Sequence, residues 1–539
     1  MLRFAHVRSS LCLVAALSGA LGSSCSGGGA NGASAGRSTT PVSATYSAAG
    51  TSAFTPPANV ASYYDAARAG GTQSERTLRP DAALATTAQA VAERAARDPQ
   101  HRSPSVRVIQ AFAWGAGLID PLPAVIVSRV TGDPPLTDLT HSVAEMTHET
   151  PFNLVGIGHA PVGDGSQIVV IALAERQLTL SAPLPRRVSS GTRVHLIGRV
   201  NDGLHNPEVA ITHPDGHIEH FPLGDGPDFE SQFPVPARGT YQIEVIGDSA
   251  GGSTVLANFP VYVDTDPPAT TEDVQSSRVE DVATVEATLL QLLNEARHAA
   301  GRAPLTLMPA LSVIARSHSD DMAQNHFVAH NSPRTGTPSD RLHHGNLQSG
   351  TVLENLGRGY SAREIHEGLM ASPGHRANLL NERVTHVGIG AALEPGATGG
   401  VVVTEDFIEV AGAVDTRAAP ETLFERLNSA RTRRGANAVV VRPQLAEVAA
   451  ATARAFFENP RDSQQTVVDH ANRTISRFGL IFRRVAVLAT VVSRVEDAAQ
   501  LEPLFDPEIG AIGIGVAQGS RPDTPPNAVF VVFVVGYPR

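Results

Sequence analysis

One pattern recurs three times along the chain and constrains its fold more than any composition does. A helical segment ending in an arginine opens each copy: YYDAARAGG at Arg68, LLNEARHAAG at Arg297 and RLNSARTRRG at Arg431. A second segment of helical periodicity follows each one, RPDAALATTAQAVAERAA, MPALSVIARSHSDDMA and RPQLAEVAAATARAFF. Each copy closes on a Gly-Ile-Gly sequence running into a hydrophobic strand, and the distances from arginine to first glycine, 88, 91 and 82 positions, agree. A chain of 539 residues is too long for one core, so a build from repeated units is expected.

The first two arginines lie 229 positions apart and the second pair 134, which leaves room for an inserted small domain after the first copy. Residues 177–265 alternate polar and apolar in short runs such as TRVHLIGRV, PEVAITHP and GTYQIEVIGD, divided by turns at NDG, PDG and ARG. They are expected to form an all-β sandwich of immunoglobulin-like type. Residues 266–279, with DTDPPATTED, read as the linker into the second copy.

At the N-terminus, Arg3 and Arg8 precede the apolar run Leu11–Leu21, too short to span a bilayer and suited to a signal peptide. The chain has two cysteines, Cys12 inside that run and Cys25 after LGSS, and the segment 1–25 resembles a bacterial lipoprotein signal with Cys25 as the lipidated residue. Residues 26–60 lack the apolar content to pack and are expected to be a flexible spacer. The expected location is therefore extracytoplasmic, either secreted or anchored in the cell envelope through an N-terminal lipid. Net charge is −11, all 42 basic residues are arginine, and no basic cluster is interleaved with aromatics, which argues against nucleic acid as a partner.

In the middle copy, Val282, Val285, Leu289, Leu292, Leu293 and Ala296 form one helical stripe with Gly301 as its stop. Leu311, Ile314, Ala315, His318 and Met322 form a second, and Ser361 with Glu364 opens a third helix expected to stop at Pro373-Gly374. LLNEARHAAGRAPLTL, ARSHSDDMAQNHFVAHNSPRTGTPSDRL, LENLGRG, SPGHRANLL and VTHVGIG, in that order over about 130 residues, resemble the bacterial, SCP-like extracellular branch of the CAP superfamily. That superfamily is named for cysteine-rich secretory proteins, antigen 5 and pathogenesis-related protein 1. The resemblance implies a three-layer α-β-α sandwich around an antiparallel sheet, with a cavity lined by two histidines and two acidic residues. By motif these positions fall on His330, Glu354 and His375, while the second acidic position falls on Ser372. The fold class expected is α+β: CAP-type sandwiches in three related copies at 61–176, 280–411 and 415–539, the outer two degenerate, plus the immunoglobulin-like sandwich.

Two imidazoles and a carboxylate in one cavity offer a divalent metal three ligands and an open position, and zinc is the metal that suits such a set, with His330 and His375 as its ligands. Glu354 is equally compatible with a general base behind a metal-bound water. Other polar residues carry blander expectations. His318 lies on an apolar stripe and is expected in the core, His343 and His344 at an exposed helix end, His386 at a strand opening, and Trp114 in packing. Glu405 and Asp406 sit on the last strand and are expected to be solvated, the alternative being that one of them faces the cavity mouth. In the first copy His101 aligns with His330, Gln110 with Glu354 and His141 with His375; in the third the positions read Gln464, Ala489 and Gln500. Neither flank keeps the carboxylate. Three functions stay open: a non-enzymatic protein whose cavity binds a divalent metal, a small apolar ligand or an envelope component; a metal-dependent hydrolase of an envelope component using Glu354; and a structural adhesion scaffold. No Ser-His-Asp or Cys-His arrangement suggests covalent catalysis.

Overall fold

The computed structural model describes residues 14–17, 43–46, 54–98, 103–131, 136–268, 281–394, 400–476 and 481–539. Cys25 and His101 lie outside the described residues, as do most of the spacer and linker. The chain is of mixed α and β structure, and no helix among the described residues is long and apolar enough to cross a membrane.

In the central unit the helix Val282–Ala299 starts at Asp281, whose carboxylate accepts from Thr284 N, and buries Val285, Leu289 and Leu293. Pro309 opens the next helix, Pro309–Asn325, in the first turn where its missing N–H costs nothing. A short helix, Pro338–His344, is held by a reciprocal cap between Thr337 and Asp340. Ser361 caps Ala362–Ala371. The Pro373-Gly374 pair does more than stop that helix: Ser372 caps a further one, Pro373–Leu379, through the backbone N–H of His375.

Four strands form the sheet in the order Thr306–Leu307, His386–Leu393, Val401–Ile408, Val352–Gly359, the first pairing parallel and the rest antiparallel. Alternation along the strands sends Val387, Ile389, Val403 and Phe407 toward Val282–Ala299 and Ala362–Ala371, and Ile408 toward Leu311, Ile314 and Leu342. The unit therefore has three layers.

The Gly-Ile-Gly repeat has one physical cause at all three of its positions. A Cβ on Gly388 would lie 2.4 Å from the carbonyl carbon of Leu311, and one on Gly390 would lie 2.0 Å from Arg316 N. The same contact recurs at Gly513 and Gly515 against Leu445 and Ala449, and at Gly156 and Gly158 against Leu84 and Gln89. In each unit the second helix lies backbone to backbone on the strand, closer than any side chain permits. The strand orders also match: Arg79–Pro80, Leu154–Pro161, Ser166–Ala174, Ala124–Thr131 in the first unit, and Val440–Val441, Ala511–Gly519, Ala528–Tyr537, Arg484–Val492 in the third. The first sheet carries Val14–Leu17 as an added parallel edge.

The repeated arginine divides the units. Arg297 is buried, giving Nε–H to Ala303 O and Nη1–H to Leu379 O and Asn381 O. Arg431 does the same for Asn437, Leu504, Asp506 and Ile509. Arg68, expected to match them, is exposed and meets Asp65 on its own helix.

Between the first two units, strands Asp228–Val235, Thr192–Val200 and Leu178–Leu180 form one sheet. Ile218–Pro222, His205–Thr212, Gly239–Ser249, Gly252–Val263 and Arg187–Val188 form the other, and both share a core of Leu196, Val209, Phe233, Ile243 and Phe259. This two-sheet body touches the central unit at two places. The turn between Ser249 and Gly252 reaches the segment around His330, with Asn331 N–H donating to Gly251 O at 2.9 Å. The short helix Pro373–Leu379 packs on Gly239–Ser249, where a Cβ on Gly374 would lie 3.0 Å from Ile246 Cδ1. Trp114 of the first unit donates its indole N–H to Asn258 O at 2.8 Å and packs against the β-sandwich core.

Candidate ligand cavity

Glu354 lies on the edge strand Val352–Gly359, directly opposite Asp406 in register. Residues so paired project to the same face, so two carboxyl groups meet beneath the helix Pro309–Asn325. Arg341, at the end of the short helix Pro338–His344, donates to His330 O at 3.0 Å, to Gly336 O at 2.8 Å and to Glu354 Oε2. His330 Nδ1 is 2.8 Å from Glu354 Oε1, and the Glu354 side chain is 2% exposed. Burial alone would raise the Glu354 pKa, but the His330 hydrogen bond and the Arg341 charge outweigh it and hold the carboxyl below its ordinary value.

Asp406 is fully buried and neither of its oxygens has a hydrogen-bond partner. Burial and then the neighbouring Glu354 charge push its pKa well up. Its neighbour Glu405 points to the opposite face, lies opposite Asn355, and is equally buried. Its pKa rises to about 7 through burial, against a weak hydrogen bond from Asn355. Both acids thus differ from the expected solvated positions, because helices cover both faces of their strand.

His375, in the first turn of Pro373–Leu379, is half-buried, and its Nδ1 lies 2.7 Å from Ser372 Oγ. Burial and then the charge of His330 lower its pKa to about 4, leaving the ring neutral at physiological pH. Ser372 Oγ in turn donates to Glu244 Oε1 of the β-sandwich at 2.6 Å. The four sequence-expected residues thus fall into two groups, His330 with Glu354 and Ser372 with His375, linked by the electrostatic influence of His330 on His375.

A zinc site of the expected type needs three protein donors and one open position. Among the described residues no group of three or more His, Cys, Asp or Glu side chains is arranged to hold a metal ion. His330 turns Nδ1 to Glu354, so a metal held by its Nε2 would lie on the far side of the ring from that carboxylate, and a set with Glu354 as third ligand does not fit. The donors left over are Nε2 of His330 and of His375.

Two participants, Arg341 and Glu244, escaped the sequence reading, and Asp406 entered it only as the alternative to a solvated position. The Thr337–Asp340 cap before Arg341 was the available signal for the first. For Glu244 the hint is Ile246, an apolar side chain on the face of its strand that alternation assigns to solvent. Elsewhere, His318 is fully buried with Nε2–H donating to Ala329 O at 3.0 Å, and His343 and His344 are exposed. His386 opens its strand. Gln110 lies on the helix Val106–Ala116 and cannot match Glu354, which lies on a strand, and His141 is an exposed helical residue beside Glu145. Gln464 donates to Ala489 O at 3.1 Å, but by strand register Val487, not Ala489, takes the place of Glu354, since Glu354 and Val487 lie opposite Asp406 and Val534, the residues that pair with Gly388 and Gly513. Gln500 is exposed.

Residues 290–407 match the family model described as the cysteine-rich secretory protein family, CAP. YkwD of Bacillus subtilis (strain 168) is 34% identical over 126 residues, 23% of this chain and 49% of that protein. The membrane protein YlbC of the same organism is 35% identical over 108 residues, 20% of this chain and 31% of that one. The chain thus spans about half and about a third of the curated relatives it matches. An extracellular protein of Bacillus anthracis containing an SCP domain aligns at 16% identity and a TM-score of 0.22, covering 43% of this chain and 86% of that one. The central unit is thus a CAP domain of the cysteine-rich secretory protein family.

Proposed function

We propose that the chain is an extracytoplasmic binding protein, not a hydrolase, whose CAP domain receives a small apolar ligand or an envelope component at the cavity of His330, Glu354, Ser372 and His375. The observation that carries this reading is the clamp on Glu354. A general base needs access to the reacting water and enough basicity to take its proton, whereas the Glu354 side chain is 2% exposed and is held below the ordinary carboxyl pKa by the His330 hydrogen bond and the Arg341 charge. The outer units, with the same strand order and glycine contacts, are read as degenerate CAP copies, and the inserted sandwich as an immunoglobulin-like module that braces the central domain. Export and lipidation at Cys25 place the assembly at a membrane surface, and Cys25→Ser is expected to move the chain from the detergent fraction to the soluble one.

A second reading, a divalent cation such as zinc on the Nε2 atoms of His330 and His375, is favoured by one observation: both Nδ1 atoms are already engaged and His375 is neutral. Glu354→Gln and zinc titration test the readings together. Under the binding reading, Glu354→Gln lowers the melting temperature, because Arg341 loses its counter-charge, and the wild type releases no soluble fragments from isolated envelope material. Release that the folded variant abolishes overturns it. Tight zinc lost in both His330→Ala and His375→Ala selects the second reading.

A further inference from the structure

The contact between Glu244 and Ser372 joins two domains beside His375, and with Glu244 ionised its hydrogen-bond bookkeeping has one solution. Ser372 Oγ has a single proton and three polar neighbours: Glu244 Oε1 at 2.6 Å, His375 Nδ1 at 2.7 Å and the His375 backbone N–H at 3.5 Å. The backbone N–H can only donate. Glu244 is fully buried, and every group around its carboxylate is a donor: Gly374 N–H at 2.8 Å on Oε2, and Asn258 Nδ2 at 3.1 Å and Ser372 on Oε1. The amide of Asn258 is turned this way by Gln242, which donates to its oxygen. An ionised Glu244 therefore takes the hydroxyl proton, and His375 Nδ1 must carry a proton to give to Oγ.

We propose that Glu244, reaching from the β-sandwich, is a positioning residue for His375: through Ser372 it fixes the imidazole as the Nδ1–H tautomer and turns the bare Nε2 toward the cavity. The site is then a joint product of two domains, and a chain lacking the sandwich has a CAP domain with an unset histidine. Gly374, two residues from Ser372, locks the arrangement, since its N–H holds Oε2 and a Cβ there would lie 3.1 Å from that oxygen. Burial, opposed by these three hydrogen bonds, brings the Glu244 pKa to about 7, so the carboxylate is ionised on the alkaline side of neutrality. The inference deepens the cavity reading, but its readout needs no ligand, so either can fail without the other.

The test is the long-range 1H–15N spectrum of histidine side chains in the full chain at about pH 8, above the ordinary imidazole range, with His375 assigned by its loss in His375→Gln. Wild type is expected to show a protonated Nδ1 and a bare Nε2. Glu244→Gln keeps the shape but reverses the relay. Gly374 N–H is backbone and can only donate, whereas the side-chain amides of Asn258 and Gln242 can turn over together, so the new amide oxygen takes the Oε2 position and its NH2 faces Ser372 and the turned Asn258 oxygen, and the Ser372 hydroxyl then donates to His375 Nδ1. The two ring-nitrogen resonances should exchange character, and the other histidines should not move. Ser372→Ala, which removes the relay outright, should give averaged shifts between the two tautomers. A folded Glu244→Gln or Ser372→Ala protein that keeps the wild-type Nδ1–H signature overturns the proposal.

Discussion

Replacing Gly390 by alanine tests whether backbone contact is what the Gly-Ile-Gly pair is for. The added methyl would lie 2.0 Å from Arg316 N, 2.3 Å from its Cα and 2.4 Å from the Ala315 carbonyl carbon, all helix backbone that no rotamer change can move. Restoring ordinary contact needs the helix Pro309–Asn325 to retreat by about 1.5 Å. That helix presses Leu311, Ile314 and Met322 onto the sheet, each buried, and Ser319 gives a hydrogen bond to Gly390 O itself at 2.9 Å. A gap of that size forfeits at least a quarter to a half of the packing energy. With burial of each large side chain worth about 1.5–3 kcal/mol and the hydrogen bond about 1 kcal/mol, the loss is about 3–5 kcal/mol. Differential scanning calorimetry should show the transition of the central unit falling by roughly 10–20 °C. Gly368→Ala is the control: Gly368 is exposed in the middle of Ala362–Ala371 with nothing near its missing Cβ, so it should stabilise by up to about 1 kcal/mol. A Gly390→Ala protein within about 1 kcal/mol of wild type would refute the packing argument.

The buried arginines make a paired prediction. Arg431→Met strips several buried carbonyls of their donor and should cost about 3 kcal/mol or more, whereas the exposed Arg68→Met should stay within about 0.5 kcal/mol, both by denaturant titration. Glu405 makes a pH prediction. Its folded pKa of about 7 lies above its ordinary value of 4.5, so the unfolded chain ionises first and folding loses stability as pH rises between those values. Glu405→Gln has no charge to bury, so its advantage over wild type should grow from about pH 4.5 to about pH 7 and then level off. An advantage that shrinks over that range would contradict the burial of this carboxyl.

Local order was legible where one residue type answers to one local cause. Ser361 with Glu364 announced its helix, the apolar stripes through Val285, Leu289 and Leu293 and through Leu311, Ile314 and Met322 announced two more, and the Gly-Ile-Gly sequence announced its strand. His330 and Glu354, found by motif, do stand within hydrogen-bond distance. What was hidden depends on registers and partners far along the chain. Two acids in succession read as solvent-facing, yet Glu405 and Asp406 each face a helix because both sides of their strand are covered. Arg68 shares a motif with Arg297 but lacks the carbonyls that bury it. Gln110 was placed by spacing alone, and spacing does not distinguish a helix from a strand when the intervening loops differ in length. Glu244 reaches its partner across 128 positions, beyond any local pattern.

The glycine contacts also determine what each unit is free to lose. A residue on the rim of a cavity answers to whatever enters it, and once nothing enters, substitutions there meet little resistance from packing. A glycine pressed against helix backbone answers only to the helix, and that demand persists as long as the unit folds at all. Sequence drift should therefore wear away histidines and carboxylates long before it touches Gly156, Gly158, Gly513 or Gly515. In a chain built this way, the glycine pair marks the shared seating of helix on strand, while occupation has to be read from the side chains around it.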